Sequence, residues 1–379
     1  MDNKHLQKAN EFAIDFPIPQ RVVALFLAGL WLWLWLLHVL SKTFNIDLAK
    51  LILTHDPYDI HPQTSSSKLV DSTRKCVFRI TKIILPWYVI TVLLLHKTLE
   101  NPLETPAWLV CLINISPLCQ LIATFAVLLS WSPMLCRCFK HILKFGDIES
   151  RPLRNNYILI SDTMTSFAKP MIDFGIYLSN LLTNPDDVAC MITRNVSPPL
   201  LNFDLLIGVT PATIRLLQSL REWRRSTSSH EARCSIFNAL KYACNLPILV
   251  CTVVARASGG TSTNIYWFML ANSLYGFWWD LTMDWNLGVF NFSSNGMRRN
   301  EILRSQRTYP RFFYFTAAVI DLGLRLIWLW ELFAGGSVFV GELNFLFQHC
   351  AEIFRRWLWI FMKLDAEACK SMGPEKAQE

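Results

Sequence analysis

Two aspartates lie inside a stretch of sequence that is otherwise apolar and aromatic. Residues 265–285 read IYWFMLANSLYGFWWDLTMDW, and only Asp280 and Asp284 carry a charge. Four residues apart on a helix, the two carboxylates project from one face. A carboxylate at bilayer depth costs about 2.5–3.5 kcal/mol on insertion scales, so it is normally paired and functional. Two like charges this close require cations nearby or the uptake of a proton.

Basic side chains in other apolar segments are the candidate partners of these aspartates. They are Arg215, Lys241, Arg325, Arg355 and Arg356. Because a guanidinium is a planar fork that matches the oxygens of a phosphate, paired arginines fit an oxyanion better than a cation or a sugar. The pattern favours a polar, cation-rich cavity inside a helix bundle that suits the passage of an anion.

Structural roles for the same residues stay open as alternatives. Asp321 precedes Arg325 by four residues, and Glu352 precedes the Arg355–Arg356 pair by three and four, so intrahelical ion pairs could neutralise these arginines. Arginines and lysines near the end of a span can also extend their charge to the membrane surface.

Two further sets of residues are candidates for lining the cavity. In SDTMTSFAKP, Asp162 and Thr165 belong to a polar stripe, and Lys169 and Pro170 are expected to break the helix. An ordinary helix–helix interface with Ser and Thr hydrogen bonds is the alternative. Trp328 is expected one turn after Arg325 on the same face, where it can wall off or gate a cavity.

A metal-dependent enzyme is a weaker interpretation of the aspartates. Gly276, Asp280 and Asp284 match the second half of the CDP-alcohol phosphotransferase signature, but the first half, D-x2-D-G-x2-A-R, is missing upstream. Nucleophile motifs are also missing. The sequence therefore predicts no enzyme, no metal and no cofactor.

Composition predicts a membrane protein with several spans. Of the 379 residues, 52% are hydrophobic and 17% are charged, which is too apolar for a soluble domain. The net charge of +7 could suggest nucleic acid as a partner. The basic residues collect instead in alternate loops between apolar runs, as the positive-inside rule requires, so nucleic acid is not expected and membrane lipids are.

Apolar runs predict an all-α, polytopic membrane helix bundle with about nine transmembrane helices. The charged loops place the N-terminus in the lumen and the C-terminus in the cytosol. Asn195 begins an N-x-S sequon in a predicted luminal loop, and residues 55–75 are predicted to be a loop. The expected spans are residues 22–40, 80–96, 107–131, 156–183, 199–220, 236–255, 264–285, 311–333 and 341–363.

Five linked motifs in order resemble the EXS domain. They are RLLQSLREWR from Arg215, NALKY with Lys241, WWDLTMDW, LRLIW with Arg325 and Trp328, and EIFRRWLWIFMKLDAE. This domain is the membrane portion of the phosphate exporters related to the xenotropic and polytropic retrovirus receptor. No SPX domain of the kind found in the long exporters is expected before the first span, so the expected resemblance is to the short fungal branch, typified by a Golgi protein needed for retention of luminal ER proteins.

The resemblance implies four regions: a luminal tail (1–21), scaffold helices 1–3 with cytosolic loops (22–155), an EXS core of helices 4–9 (156–367) and a cytosolic tail (368–379). The scaffold can also form a homodimer contact. The family's acidic partners fall on Asp162, Asp280, Asp284 and Glu352. Its path and gate positions fall on Thr165, where the family has an asparagine, and on Trp328. Its phosphate-binding residues fall on Arg215, Lys241, Arg325, Arg355 and Arg356.

The expected function is transport of inorganic phosphate across the Golgi membrane. The chain would return phosphate released in the lumen by glycosylation to the cytosol, and so support glycosylation and retention of resident ER and Golgi proteins. Location in the ER membrane is a second expectation. The alternative is a sorting protein that moves no ion and binds glycosyltransferases or coat components.

Overall fold

A computed structural model describes residues 12–52, 65–101, 105–144, 151–194, 202–260, 264–287, 303, 307–333, 339 and 341–371. Within these ranges the regular structure is entirely helical and contains no strand. The all-α prediction is therefore confirmed for the described residues. Several predicted features lie outside them, namely most of the N-terminal tail, the sequon at Asn195, most of the basic loop before Arg311 and most of the C-terminal tail.

The first five helices form the N-terminal part of the bundle. They are α1 (Ile18–Lys42), α2 (Leu48–Leu51), α3 (Ser66–Glu100), α4 (Ala107–Trp131) and α5 (Pro133–Lys144). The prediction of a loop through residues 55–75 was wrong from Ser66 onward, because the polar start of α3 continues into its apolar part without a break. Its polar first turns are held by local ion pairs, such as that of Asp71 with Lys75 at 2.9 Å.

The described residues in the middle of the chain form six helices. They are α6 (Arg151–Ser166), α7 (Ala168–Thr183), α8 (Ala189–Ile192), α9 (Phe203–Arg225), α10 (Ser229–Ala243) and α11 (Asn245–Ser258). Two successive pairs of them, α6 with α7 and α10 with α11, are separated by a single residue. The break between α6 and α7 falls at Phe167, whose ψ is 4°. The predicted break at Lys169 and Pro170 was misplaced, because Pro170 lies in the first turn of α7, where a proline is tolerated.

The C-terminal part contains α12 (Asn264–Trp279), a π-helical turn (Asp280–Asp284), α13 (Arg311–Arg325), α14 (Ile327–Phe333) and α15 (Glu342–Ser371). Leu326 interrupts the expected span over residues 311–333, and α15 extends eight residues beyond its expected end at residue 363. Hydropathy located these apolar segments but not their breaks, because it averages over a window and carries no backbone angles.

Four helical segments are long and apolar enough to cross a bilayer: Ile18–Lys42, Ser66–Glu100, Ala107–Trp131 and Ser229–Ser258. Large apolar side chains such as Leu93 and Trp267 are 63% and 73% exposed, as expected of a surface that meets lipid. The other expected spans are interrupted by breaks or carry charges. The count of nine spans and the orientation of the termini stay predictions.

Close contact between helices holds the part of the bundle that carries the charged residues. α9 packs along α7 and α10, and α15 lies against α1 and α13. At Gly175 the backbones of α7 and α9 approach so closely that an added Cβ would lie 2.6 Å from the Cα of Asp204. The largest apolar core surrounds Trp285 and Trp359, which are fully buried between the π turn, α1 and α15.

Candidate functional site

Asp280 is the hub of a buried charge cluster. It is fully buried at the first position of the π turn, and three cations from three other helices meet it. The Nζ of Lys241 lies 3.1 Å from Oδ1, Arg325 makes an ion pair with Oδ2, and Nη1 of Arg355 lies 3.6 Å from Oδ2. Three of the five predicted cations thus contact the predicted aspartate, and they come from α10, α13 and α15.

Gly276 gives Arg325 the room to reach Asp280. A Cβ at this position would lie 2.5 Å from Nη1 of Arg325, inside the contact distance of the two atoms. The glycine of the partial phosphotransferase pattern therefore has a packing role here, one turn before the aspartate that the arginine binds.

Asp284 faces the same region as Asp280, as the sequence predicted. Its Oδ2 lies 3.4 Å from Nζ of Lys241, which therefore bridges the two aspartates. The same Oδ2 accepts from the indole of Trp359 at 3.3 Å, and Oδ1 accepts from Nζ of Lys363 at 3.0 Å. Sequence analysis missed Lys363, yet its spacing of seven residues from Arg356 places it on the same face of α15 and could have identified it.

Asp162, Arg215 and Tyr242 form a second part of the cluster. Nε of Arg215 lies 2.7 Å from Oδ1 of Asp162, and the Tyr242 hydroxyl donates to the same oxygen at 2.6 Å. All three side chains are buried. No periodicity pointed to Tyr242, but it follows Lys241 directly and so places this group beside the Asp280 hub.

Two of the three intrahelical ion pairs expected from spacing are present, whereas Arg356 bonds to Ser166 and Thr165 and not to Glu352. Nε of Arg325 lies 2.9 Å from Oδ2 of Asp321, and Nη2 of Arg355 lies 2.5 Å from Oε1 of Glu352. Arg355 also reaches Asp321 at 3.3 Å, so the two pairs form one network across α13 and α15. The Glu352 side chain is 28% exposed, so it lies at the open edge of the network.

Arg356 differs from the other predicted cations. Its Nε donates to the Ser166 hydroxyl at 2.8 Å and its Nη2 to the Thr165 hydroxyl at 3.1 Å, both at the end of α6. Its Nη1 is buried and has no hydrogen-bond partner. The guanidinium lies 4.7 Å from the ring centroid of Trp359. A buried guanidinium with only neutral partners is costly unless an anion completes its hydrogen bonds.

The charges of this central cluster do not cancel. Among the residues that the structure describes, six cations face five carboxylates, which leaves one positive charge in excess. Glu367 and Lys370, 3.2 Å apart at the end of α15, add one charge of each sign and preserve the excess. The cations are Arg215, Lys241, Arg325, Arg355, Arg356 and Lys363, and the carboxylates are Asp162, Asp280, Asp284, Asp321 and Glu352.

Trp328 lies at the edge of the cluster but not where helical spacing predicted. The break at Leu326 separates it from the helix that carries Arg325, so the two residues do not share one continuous face. Its indole donates to the Ser273 hydroxyl at 3.2 Å, and that hydroxyl donates to the Arg325 carbonyl at 3.1 Å. Its ring stacks on Tyr266. Trp328 is thus hydrogen-bonded to α12, the helix that leads into the π turn of Asp280.

The arrangement combines fixed cations, fixed carboxylates and hydroxyls in a space between helices. Guanidinium and hydroxyl groups donate to an oxyanion, and a carboxylate accepts from a protonated one. An anion that can pass from one of these hydrogen-bond partners to the next is able to enter and to leave, because binding that is too tight prevents release.

Comparison with known proteins agrees with this arrangement. The EXS family model matches residues 16–369, which is nearly the whole chain and includes every residue of the central cluster. The chain belongs to the EXS family. It is therefore a multi-pass membrane protein, and the family resemblance of the five motifs is confirmed.

Relatives in the EXS family fall into two groups. The chain is 40% identical to Protein ERD1 of Kluyveromyces lactis over 95% of its own length and 96% of the relative's. It is 37% identical to Protein ERD1 of Saccharomyces cerevisiae over 93% of both chains. More distantly, it is 28% identical to Solute carrier family 53 member 1 of Cricetulus griseus over 45% of this chain and 25% of that protein.

Proposed function

We propose that this EXS protein is an inorganic phosphate transporter of the Golgi membrane, which returns phosphate from the lumen to the cytosol and so supports glycosylation and protein retention. The observation that carries the proposal is the buried Arg356, whose Nη1 has no partner in a cluster with one positive charge in excess. Its neutral hydroxyl partners leave the guanidinium available to an oxyanion.

Phosphate fits the donors and acceptors of the central cluster. Arg356 supplies the free N–H donors, because the Thr165 hydroxyl already donates to the Asp162 carbonyl at 2.7 Å and the Ser166 hydroxyl donates to Glu352 at 3.1 Å. The Glu352 carboxylate supplies the acceptor. A protonated phosphate oxygen can donate to a carboxylate, whereas sulfate at neutral pH has no proton to donate. Similarity to a protein named a solute carrier supports transport, and the family resemblance supports phosphate and the Golgi.

The test is flux through purified protein in liposomes loaded with labelled phosphate. We expect phosphate flux that unlabelled phosphate suppresses and that equal sulfate or chloride suppresses much less. Arg356→Gln is expected to reduce flux by about tenfold to a hundredfold, since a charge-assisted hydrogen bond contributes about 1.5–3 kcal/mol.

Arg154→Gln is the matched control for this substitution. Arg154 pairs with Glu222 at 3.0 Å, but it is 48% exposed and lies outside the central cluster. Its flux is expected to equal that of the unsubstituted protein. Absence of phosphate flux in the unsubstituted protein would refute transport, and equal flux in Arg356→Gln would remove Arg356 from the mechanism.

A sorting protein without transport is the second candidate. The paired state of Arg215, Arg325 and Arg355 favours it, because such ion pairs can serve only to tie helices together. In cells, Arg356→Gln separates the two functions. Loss of glycosyltransferase retention together with flux supports transport as the primary function, whereas retention without flux supports sorting.

A further inference from the structure

A second cluster of buried charges lies where α1 and α15 begin, and it is called the end cluster here. Arg194 bridges two carboxylates, with Nη1 2.5 Å from Oδ1 of Asp173 and Nε 2.7 Å from Oε1 of Glu342. Arg21, which is fully buried, makes an ion pair with the same glutamate. The end cluster comprises Arg21, Asp173, Arg194, Glu342 and His349.

Two nitrogen atoms of the end cluster lack partners although they are buried. Nη2 of Arg21 and Nδ1 of His349 form no hydrogen bond. The His349 nitrogen lies 3.8 Å from Oδ2 of Asp173, which is beyond hydrogen-bond distance. Their residues are 0% and 3% exposed. Buried nitrogens of this kind are normally satisfied. The Arg21 nitrogen is always a donor, and the His349 nitrogen is a donor in the tautomer that carries its proton there, so a ligand with acceptor oxygens satisfies both.

The end cluster is continuous with the central cluster along one face of α15. Glu342, His349, Glu352, Arg356 and Lys363 follow one another at intervals of seven, three, four and seven residues, which is one helical stripe. From the first to the last the stripe spans about 32 Å, close to the thickness of the hydrocarbon core of a bilayer. His349 precedes Glu352 by about 4.5 Å of helix.

The helices that face α15, namely α6 and α7, also extend from the central cluster to the end cluster. α6 supplies Thr165 and Ser166 to the central cluster, and α7, which follows at the break, supplies Asp173 to the end cluster. Lys169 lies between them on α7 and donates to Gln348 of α15 at 2.8 Å. Both clusters are therefore lined by α15 on one side and by α6 and α7 on the other.

We infer that the end cluster is a second binding site for the transported oxyanion, at the mouth of the path opposite Lys363. The inference rests on the proposed phosphate transport. Arg21 and His349 each present one nitrogen to the anion, and Arg194 holds Glu342, which pairs with Arg21, and Asp173, which lies beside His349. An anion leaving this site reaches the central cluster by way of Lys169 and Glu352.

The test is the number of labelled phosphate ions bound per purified chain at saturation. We expect two in the unsubstituted protein, one in Arg356→Gln and one in His349→Phe. The phenylalanine preserves the ring shape and removes the free nitrogen, and the phosphate that stays bound in the central cluster shows that this variant is folded. Arg21→Met, which leaves Glu342 paired with Arg194, is a second variant with the same expected loss.

His96→Phe is the matched control, because His96 also lies 3.8 Å from an aspartate, Asp15, but is 37% exposed and outside both clusters. It is expected to bind two ions. Unchanged binding in both His349→Phe and Arg21→Met would overturn the second site and leave the proposed transport intact. Absence of any bound phosphate in the unsubstituted protein would overturn both.

Discussion

The α3–α4 pair and the central cluster both bury polar side chains between helices, but they bury different kinds of group. Between α3 and α4, the hydroxyls of Thr91 and Ser116 lie 2.7 Å apart, and the Gln120 amide donates to both at 3.2 Å. These groups are neutral and bond to one another, and the one unpartnered atom among them, Oε1 of Gln120, carries no net charge. The central cluster instead buries eleven charges, whose desolvation is far more costly.

The difference supports the proposal that the central cluster has a function beyond holding helices together. Neutral hydrogen bonds between membrane helices contribute about 0.6 kcal/mol each and are sufficient for packing. A set of charges with one cation in excess is a poor way to stabilise a bundle, because no carboxylate among the described residues of the cluster compensates the extra charge. This supports the proposed ligand in the central cluster, whereas hydrogen bonding between helices accounts for the polar groups of the α3–α4 pair.

The largest effect is expected from Asp280→Asn. This change leaves Lys241, Arg325 and Arg355 without their shared carboxylate and raises the excess charge from one to two. Breaking a buried ion pair costs about 3–5 kcal/mol, so we expect a much lower free energy of unfolding in detergent. Glu222→Gln at the exposed pair with Arg154 is the control. Equal stability of both variants would contradict the assignment of Asp280 as the hub.

Arg356→Lys is expected to have the next largest effect. The ammonium keeps the charge but cannot donate to Ser166, Thr165 and an oxyanion through one planar fork. We expect phosphate flux to fall by roughly tenfold while the free energy of unfolding changes by less than about 1 kcal/mol. Flux at the original level would mean that charge alone is sufficient at this position.

A smaller effect is expected from Gly276→Ala. The added methyl group must displace the Arg325 guanidinium, which is flexible and shifts away from Asp280. We expect a fall in flux of a few-fold. Gly323→Ala, on the same helix as Arg325, is the matched control, because its Cβ would meet nothing within 4 Å. Equal flux in the two variants would show that the Arg325–Asp280 contact does not matter for transport.

The smallest effect is expected from Thr91→Val between α3 and α4. The substitution removes a hydroxyl that bonds Ser116 and Gln120, so stability should fall by about 0.6 kcal/mol. Phosphate flux per folded protein should not change. Thermal unfolding and flux measured on the same preparation test both expectations, and a large loss of flux would mean that the two regions are functionally coupled.

The sequence by itself determined the features that depend on neighbours within one helix. Apolar runs located the helical segments, and spacing of three or four residues predicted the Asp321–Arg325 and Glu352–Arg355 ion pairs. Spacing also predicted that Asp280 and Asp284 lie on one face of a helix, and in the structure Lys241 contacts both. These predictions succeed because helical geometry fixes the relation between positions a few residues apart.

Only the tertiary structure decided which charges meet across helices. Arg356 and Thr165 are 191 positions apart in sequence, and Arg325 and Asp280 are 45 apart, so no periodicity relates them. The breaks at Phe167 and Leu326 likewise depend on backbone angles that hydropathy does not encode. Which arginine keeps a free nitrogen depends on the packing of α6 against α15, because long side chains reach whichever partner the packed helices bring within a few ångströms.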